Sequence, residues 1–170
     1  MEFLELVERR RSVRAYSDAP VDPRALERVL AAATRAPSAG NLQAYRIVVV
    51  RSPVQRRALA AAAEGQEFLS EAPVDLVFFS DQERSADRYG KRGTSLYAVQ
   101  DATIAAAFAL LAATNEGLAS VWVGAFDETR VREICTEPRL RPVAIVAVGH
   151  GAESPPAPHH RARTELVKEA

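Results

Sequence analysis

One cysteine, Cys135, cannot form a disulfide within the chain or a zinc site built on several thiolates. Net charge is missing too, since 22 basic and 22 acidic residues cancel and leave no overall field to recruit nucleic acid or an anionic membrane. Aromatic side chains make up 6% of the chain, too few to alternate with cations as a stacking platform for single-stranded nucleic acid. The longest strongly apolar run, 102–113, is too short for a bilayer and has Thr103 inside it. Met1-Glu2-Phe3-Leu4-Glu5 lacks the basic-then-apolar order of a secretory leader. The expectation is a soluble, cytoplasmic protein with no nucleic-acid or membrane partner.

Common catalytic signatures are also absent. There is no Walker-type Gly-Lys-Ser/Thr, no His-Glu-x-x-His, and no Gly-x-Ser-x-Gly around Ser38. His159-His160 has no metal-ligand spacing, and Gly149-His150-Gly151 lacks a third glycine and runs into prolines instead of a helix. Hydrolase, metalloenzyme and Rossmann readings lose their support together.

What is present suits one domain over residues 1–170: 48% apolar and 26% charged residues, enough to bury roughly 70% of the unfolded surface. Apolar spacing predicts a helix at the N-terminus through Phe3, Leu4, Leu6 and Val7, and a second opened by Asp22-Pro23 and closed before Pro37. A third is expected from Ser52-Pro53 to Glu64, a short one from Asp127, and a long one over 94–115 with Gly117 just beyond it. Strands are expected at 46–51, 74–80, 119–123 and 143–148, and 81–93 reads as a charged surface stretch. These elements interleave into a mixed α/β layer fold. The tail after Gly151, with Pro155, Pro156 and Pro158, reads as an extended arm over 152–170.

The long helix carries Asp101 as its one formal charge. A helix apolar on nearly every face must be covered on nearly every face. It lies at the centre of the fold or it forms a self-associating interface. A homodimer is favoured, which a charge at Ala106 would be expected to split.

Two short segments carry chemistry. Arg9-Arg10-Arg11-Ser12-Val13-Arg14 packs four guanidinium groups and a hydroxyl into six residues. Ala36-Pro37-Ser38-Ala39-Gly40-Asn41-Leu42-Gln43 is a polar, turn-forming loop running straight into an apolar strand. Arginine recognises phosphate in planar, bidentate fashion, and serine adds a short contact, so the pair suggests a phosphorylated small molecule held at a sheet edge. Taken alone, the cluster equally suits a solvated helix end. Twenty of the 22 basic residues are Arg, with only Lys91 and Lys168 otherwise, which is as readily a compositional habit as a function.

With those motifs in order, the chain resembles the FMN-dependent nitroreductase superfamily, or a close flavin reductase relative, over nearly its whole length. Arg10 to Arg14 resembles the family's first flavin-binding segment, and Pro37 to Gln43 its second, which in the family reaches the flavin of the other subunit. Trp122-Val123-Gly124-Ala125-Phe126-Asp127 resembles the strand end beside the flavin ring, and Arg161-Ala162-Arg163 the basic pair that closes on the phosphate. The resemblance implies an α+β, three-layer α/β/α fold: a central mixed sheet of about four to five strands, flanked by helices, with a long dimer-forming helix.

It further implies FMN as cofactor, with NADH or NADPH as electron donor. Electrons would pass in a ping-pong cycle to a small-molecule acceptor: a nitroaromatic, a quinone or a flavin. A flavin- or deazaflavin-binding module without turnover is the alternative. Cofactor contacts are implied for Arg10, Arg11, Ser12, Arg14, Pro37, Ser38, Ala39, Asn41, Gln43, Gln66, Val123, Gly124, Ala125, Arg161 and Arg163. Arg14 would tune the ring electrostatically, Gln66 being the loosest match and Trp122 belonging to the core. No protein group is required as a nucleophile or metal ligand, because the cofactor supplies the redox chemistry. Larger family members carry a helical insertion shaping the substrate pocket, where this chain has only its short charged stretch.

Overall fold

Near-continuous apolar sequence makes two strands central. In β2 (Val74–Ser80) every residue is buried, and in β4 (Arg141–Gly149) all but Arg141 and Val143. The computed structural model describes residues 2–169. Its four strands form one antiparallel sheet in the order β1-β2-β4-β3, with β1 (Tyr45–Val50) and β3 (Ala119–Val123) at the edges. The parallel component of the expected mixed sheet comes from Ser12, bridged in parallel to Ser120 on the outer edge of β3.

The two-residue period of the strands sorts the core into two layers. Leu76, Phe78, Ala144, Val146 and Val148 face α2 (Pro23–Ala33) and α6 (Ala98–Asn115). Val77, Phe79, Ile145 and Ala147 face α3 (Pro53–Ala62), α4 (Phe68–Glu71) and α7 (Glu128–Cys135). Asp22 caps α2 by accepting from the Arg24 N–H at 3.0 Å, and Asp127 caps α7 by accepting from Thr129 and Arg130 at 2.8 and 3.0 Å. Each such cap contributes roughly 1 kcal/mol.

The stretch 81–93 is helical, which corrects the expectation of irregular surface. Asp81 accepts from the Arg84 N–H at 3.0 Å and opens α5 (Gln82–Arg92), in which Ser85 is the one buried residue. Polar contacts rather than an apolar stripe hold α5, so hydrophobic spacing could not reveal it. Gly90, at φ 54°, ends its regular part. Gln82 Nε2 then reaches the Thr94 carbonyl at 3.1 Å, and the Tyr89 and Tyr97 rings meet edge-on at 5.1 Å. Twelve residues of straight helix span roughly 18 Å, so the chain reverses at Gly90. A π-helical turn, Gly93–Tyr97, leads into α6.

By length and composition the helical stretch Gln82–Asn115 would pass for a membrane span. Its inner face, however, is a row of buried small residues, Ala98, Ala102, Ala105, Ala106, Ala109 and Ala113, the last four packed in the core on that side of the sheet. Ala106 therefore faces its own core and cannot test a dimer. The exposed positions of α6 are Gln100, Thr103, Ala107, Phe108 and Asn115. Before the sheet lies α1 (Phe3–Arg9), with no buried residue, and after it the exposed tail, expected as an extended arm, carries the short helix α8 (Arg163–Leu166).

Candidate functional site

The basic segment is fixed by its backbone. Val13 N–H donates to the Ser120 carbonyl at 3.1 Å, extending the sheet past β3. Ser17 N–H reaches the His150 carbonyl and Ala152 N–H the Ala15 carbonyl, both at 2.9 Å, tying the following residues to the end of β4. Tyr16, buried, donates its hydroxyl to the Val13 carbonyl at 2.9 Å. Burial pushes that hydroxyl well above its ordinary pKa, the charge of Asp75 adding to the effect, so it stays a proton donor. The Arg14 N–H is taken by the Glu153 carboxylate.

Alternation along this segment divides its arginines. Arg9, Arg11 and Val13 line one cleft with Thr114, Gly117 and Glu153, and the Arg11 guanidinium donates to the carbonyls of Glu8 and Arg10. Arg11 thus closes the end of α1, away from the side on which Arg10, Ser12 and Arg14 project. Among the described residues, the guanidinium groups of Arg10 and Arg14 have neither a hydrogen-bond nor an ion-pair partner. Two unpaired cations on a backbone tied to the sheet edge are a donor set suited to an anion.

At the other end of β3 the chain leaves the sheet at Gly124-Ala125, both exposed, while Val123 is buried. Gln66 is brought there by the fold: its amide donates to the carbonyls of Ala63 at 3.0 Å and Ala125 at 3.4 Å. The Asp127 N–H donates to the Ala62 carbonyl at 2.9 Å and holds the two loops together. Trp122 is half-buried and packs on the α2/α6 side of the sheet. Exposed backbone at Gly124-Ala125 and a positioned amide at Gln66 suit the polar edge of a heterocycle.

The second predicted segment lies elsewhere, between α2 and β1 and packed against α5 and α6. Within it Gly40, Asn41 and Gln43 adopt φ of 56°, 56° and 50°. Left-handed non-glycine residues each cost about 1–3 kcal/mol and persist only where surroundings hold them. Here the holding groups are plain. Ser38 Oγ accepts from the Gln43 N–H at 2.9 Å, and Ala39 N–H donates to Asp101 Oδ1 at 2.9 Å. Arg84 donates to the Leu42 carbonyl at 2.6 Å and Arg88 to that of Gly40 at 3.4 Å. A Cβ at Gly40 would collide with the Tyr89 hydroxyl and the Arg88 guanidinium. Pro37, Ser38 and Ala39 wall one side of a cavity of about 480 Å³, completed by Tyr97, Gln100, Asp101, Thr103 and Ile104 of the helical stretch.

The expected basic pair of the arm stays apart. Arg161 pairs with Glu165 one helical turn away, at 3.2 Å, and both Arg161 and Arg163 are exposed. Apart from the Glu153 carboxylate at the start of the arm, which accepts the Arg14 N–H, no hydrogen bond or ion pair among the described residues joins the arm, or the loop 37–43, to Arg10, Ser12 or Arg14. Within one chain the four predicted segments lie in three places, not one pocket: 10–14 and 122–127 along β3, the loop 37–43 against α5 and α6, and Arg161–Arg163 on the exposed tail.

Sequence reasoning missed Asp101, Arg84 and Arg88 as supports of the loop, and Glu153 as a support of the basic segment. Asp101 was visible as a charge inside an apolar helix, but its partner at Ala39 lies 62 positions away. Two other buried groups play no part in these contacts. Burial pushes the Cys135 thiol up to about 12, which keeps it inert near neutral pH. Asp75 lies inside the α3/α7 side of the core with neither carboxylate oxygen partnered.

A three-layer α+β fold with unpaired guanidinium groups on its sheet edge and exposed backbone at a strand end offers donors suited to an anionic, ring-bearing small molecule. The comparisons give the family. The sequence pattern of the Nitroreductase family matches residues 7–66 and 60–150, and the chain belongs to that family. A Thermus thermophilus protein named NADH dehydrogenase is 37% identical, the match covering 94% of this chain and 91% of that one. The structure of a nitroreductase family protein from Streptococcus pneumoniae superposes with a TM-score of 0.88 at 29% identity, over 99% of this chain and 100% of the other. The NADPH:FMN oxidoreductase of Vibrio harveyi, solved with NAD+, superposes with a TM-score of 0.89 at 26% identity, over 98% of this chain and 76% of its own.

Proposed function

We propose that this chain is an FMN-dependent NAD(P)H oxidoreductase: a single cytoplasmic domain, working as a homodimer whose flavin sites are built from both subunits. The observation carrying this reading is the Arg10–Arg14 segment, locked to β3 through the Val13 N–H with the Arg10 and Arg14 side chains unpaired. The donor set fits the group. Arg10 and Ser12 would hold the phosphate, Gly124, Ala125 and Gln66 the polar edge of the ring, and Arg14 the side where negative charge gathers on reduction. When bound, FMN supplies two-electron transfer through its N5 atom, from NADH or NADPH to a nitroaromatic, quinone or flavin acceptor.

The protein's share is binding and electrostatics. Arg10 neutralises phosphate charge, and Arg14 makes reduction more favourable by placing a cation where electrons accumulate. No side chain has to give up a proton irreversibly. In this reading donor and acceptor take turns at one face of the flavin, in a ping-pong order. The dimer is supported by apolar surface that one protomer leaves uncovered: Phe108 on the outward face of α6, Phe3 and Leu4 on α1, and Leu166 and Val167 at the arm's end. With a partner in place, the loop 37–43 and the arm's Arg161 and Arg163 complete the second subunit's site, which accounts for their separation from Arg10–Arg14 within one chain.

Titration of the metal-free apoprotein with FMN and riboflavin tests the phosphate assignment, and NADH or NADPH oxidation with menadione tests turnover. Tighter binding of FMN together with menadione-dependent oxidation supports the reading. Equal affinity for the two flavins overturns the phosphate assignment, and binding without oxidation points to a flavin-carrying module.

A further inference from the structure

The loop 38–43 is an unstable shape held from outside. Gly40, Asn41 and Gln43 all lie in the left-handed region within four residues. Its restraints differ in kind. Arg84 and Arg88 are exposed side chains on α5 reaching down to carbonyls, and are free to swing into solvent. Asp101 is 2% exposed and fixed in α6, and its Oδ1 accepts the Ala39 N–H at 2.9 Å. Its other oxygen, Oδ2, has no partner. A carboxylate buried in an alanine-lined helix face, for one backbone hydrogen bond, is costly to keep unless that bond matters. The π-helical turn Gly93–Tyr97 just before α6 sets its position, because one residue more or fewer there would rotate Asp101 by about 100°.

We propose that Asp101 is a positioning residue: its hydrogen bond to the Ala39 N–H sets the left-handed conformation of the loop 38–43 and thereby its contact with the flavin. The last clause rests on the proposed function; the first does not. The loop side is distinct from the phosphate side at Arg10, so the two make different demands on a ligand. Loss of Asp101 should weaken FMN and riboflavin alike. Loss of Arg10 should weaken FMN alone.

The test uses the full-length protein and Asp101→Ala, Asp101→Asn and Ala39→Pro. Asp101→Asn keeps an acceptor for the Ala39 N–H. Ala39→Pro removes the donor instead, at the first position of a 3₁₀ turn after an extended Ser38 (φ −141°, ψ 158°), where proline is tolerated. Amide exchange of the apoprotein is followed at residues 39–43 and, as a control, at 105–113. Exchange at 40–43 should quicken at least tenfold in Asp101→Ala and in Ala39→Pro, stay within about twofold in Asp101→Asn, and change little in α6.

Both loop-releasing variants should also weaken FMN and riboflavin by the same factor, at least tenfold. The double variant should be no worse than the worse single one, because both remove one bond. Unchanged exchange at 40–43, or quickening spread equally over 105–113, overturns the proposal. If the parent binds no flavin while the exchange pattern holds, the flavin reading fails and the positioning role stands. If Asp101→Ala does not fold, Ala39→Pro and Asp101→Asn decide the same question.

Discussion

Two basic segments, Arg10–Arg14 and Arg161–Arg163, looked alike as sequence and were assigned to one phosphate, yet the structure treats them oppositely. The first is bonded through its backbone to β3 and the end of β4, with the guanidinium groups of Arg10 and Arg14 left unpaired. The second lies in an exposed tail, where Arg161 spends its charge on Glu165. An arginine prepaid in position loses little freedom on binding a phosphate, whereas one on a free arm must be ordered first. The difference teaches that backbone anchoring presents a cation cluster ready for a ligand, whereas an unanchored one has to be ordered first.

The largest expected effect comes from removing that partner. Phe108→Glu puts an unpaired carboxylate into the proposed interface, a cost of several kcal/mol. Sedimentation should then show monomers, with FMN affinity reduced at least a hundredfold while the thermal midpoint of each protomer is little changed. Monomers keeping full affinity would mean that the arm and the loop 37–43 act within one chain or not at all.

Next in size are the two phosphate candidates. Arg10→Ala should lower FMN affinity roughly ten- to hundredfold, the worth of one charge-assisted bond at about 1.5–3 kcal/mol, and leave riboflavin affinity unchanged. Arg163→Ala should cost less, because its ordering must be offset each time FMN binds. Equal losses in parallel fluorescence titrations would erase the distinction between anchored and unanchored cations.

Smaller again is a change of potential without a change of affinity. Arg14→Ala removes a cation worth about 1–3 kcal/mol to the reduced ring, or roughly 20–60 mV for a two-electron couple. Redox titration should find the midpoint lowered, with binding of oxidised FMN nearly intact. A shift of equal proportion in Arg163→Ala would show that both arginines address the same part of the cofactor.

The smallest effect bears on the fold alone. Burial holds the Asp75 carboxyl well above the usual range, with the Arg56 guanidinium only partly opposing. Its native pKa is raised, so stability is greatest below the ordinary carboxylate pKa and falls as pH rises through the native value. Asp75→Asn should melt higher than the parent at pH 8, by a margin that shrinks towards pH 4, with flavin affinity unaltered. A constant margin across pH would place the cost in packing, not charge.

Much of the frame was legible. The strands 74–80 and 119–123 and the caps Asp22 and Asp127 could be read because apolar period and cap chemistry are local. Helix α5 escaped because its supports, Arg84 to Leu42 and Arg88 to Gly40, span more than forty positions. For the same reason Ala106 was misjudged: the spacing shows that the helix is apolar all round, not which side meets the sheet. The family itself was readable from four short motifs, and the family match supports that reading.

The sequence by itself determined the four strands and the helices with an apolar face, which residue types carry charge, and the family they spell. Only the tertiary structure decided that Ser12–Val13 joins the sheet edge, that Arg11 turns back on α1, and that Gln66 meets Ala125. It also decided that Asp101 grips the loop at Ala39. The reason is physical. Local conformation follows from neighbours a few residues away, whereas a buried polar group takes whichever partner the folded layers bring to it.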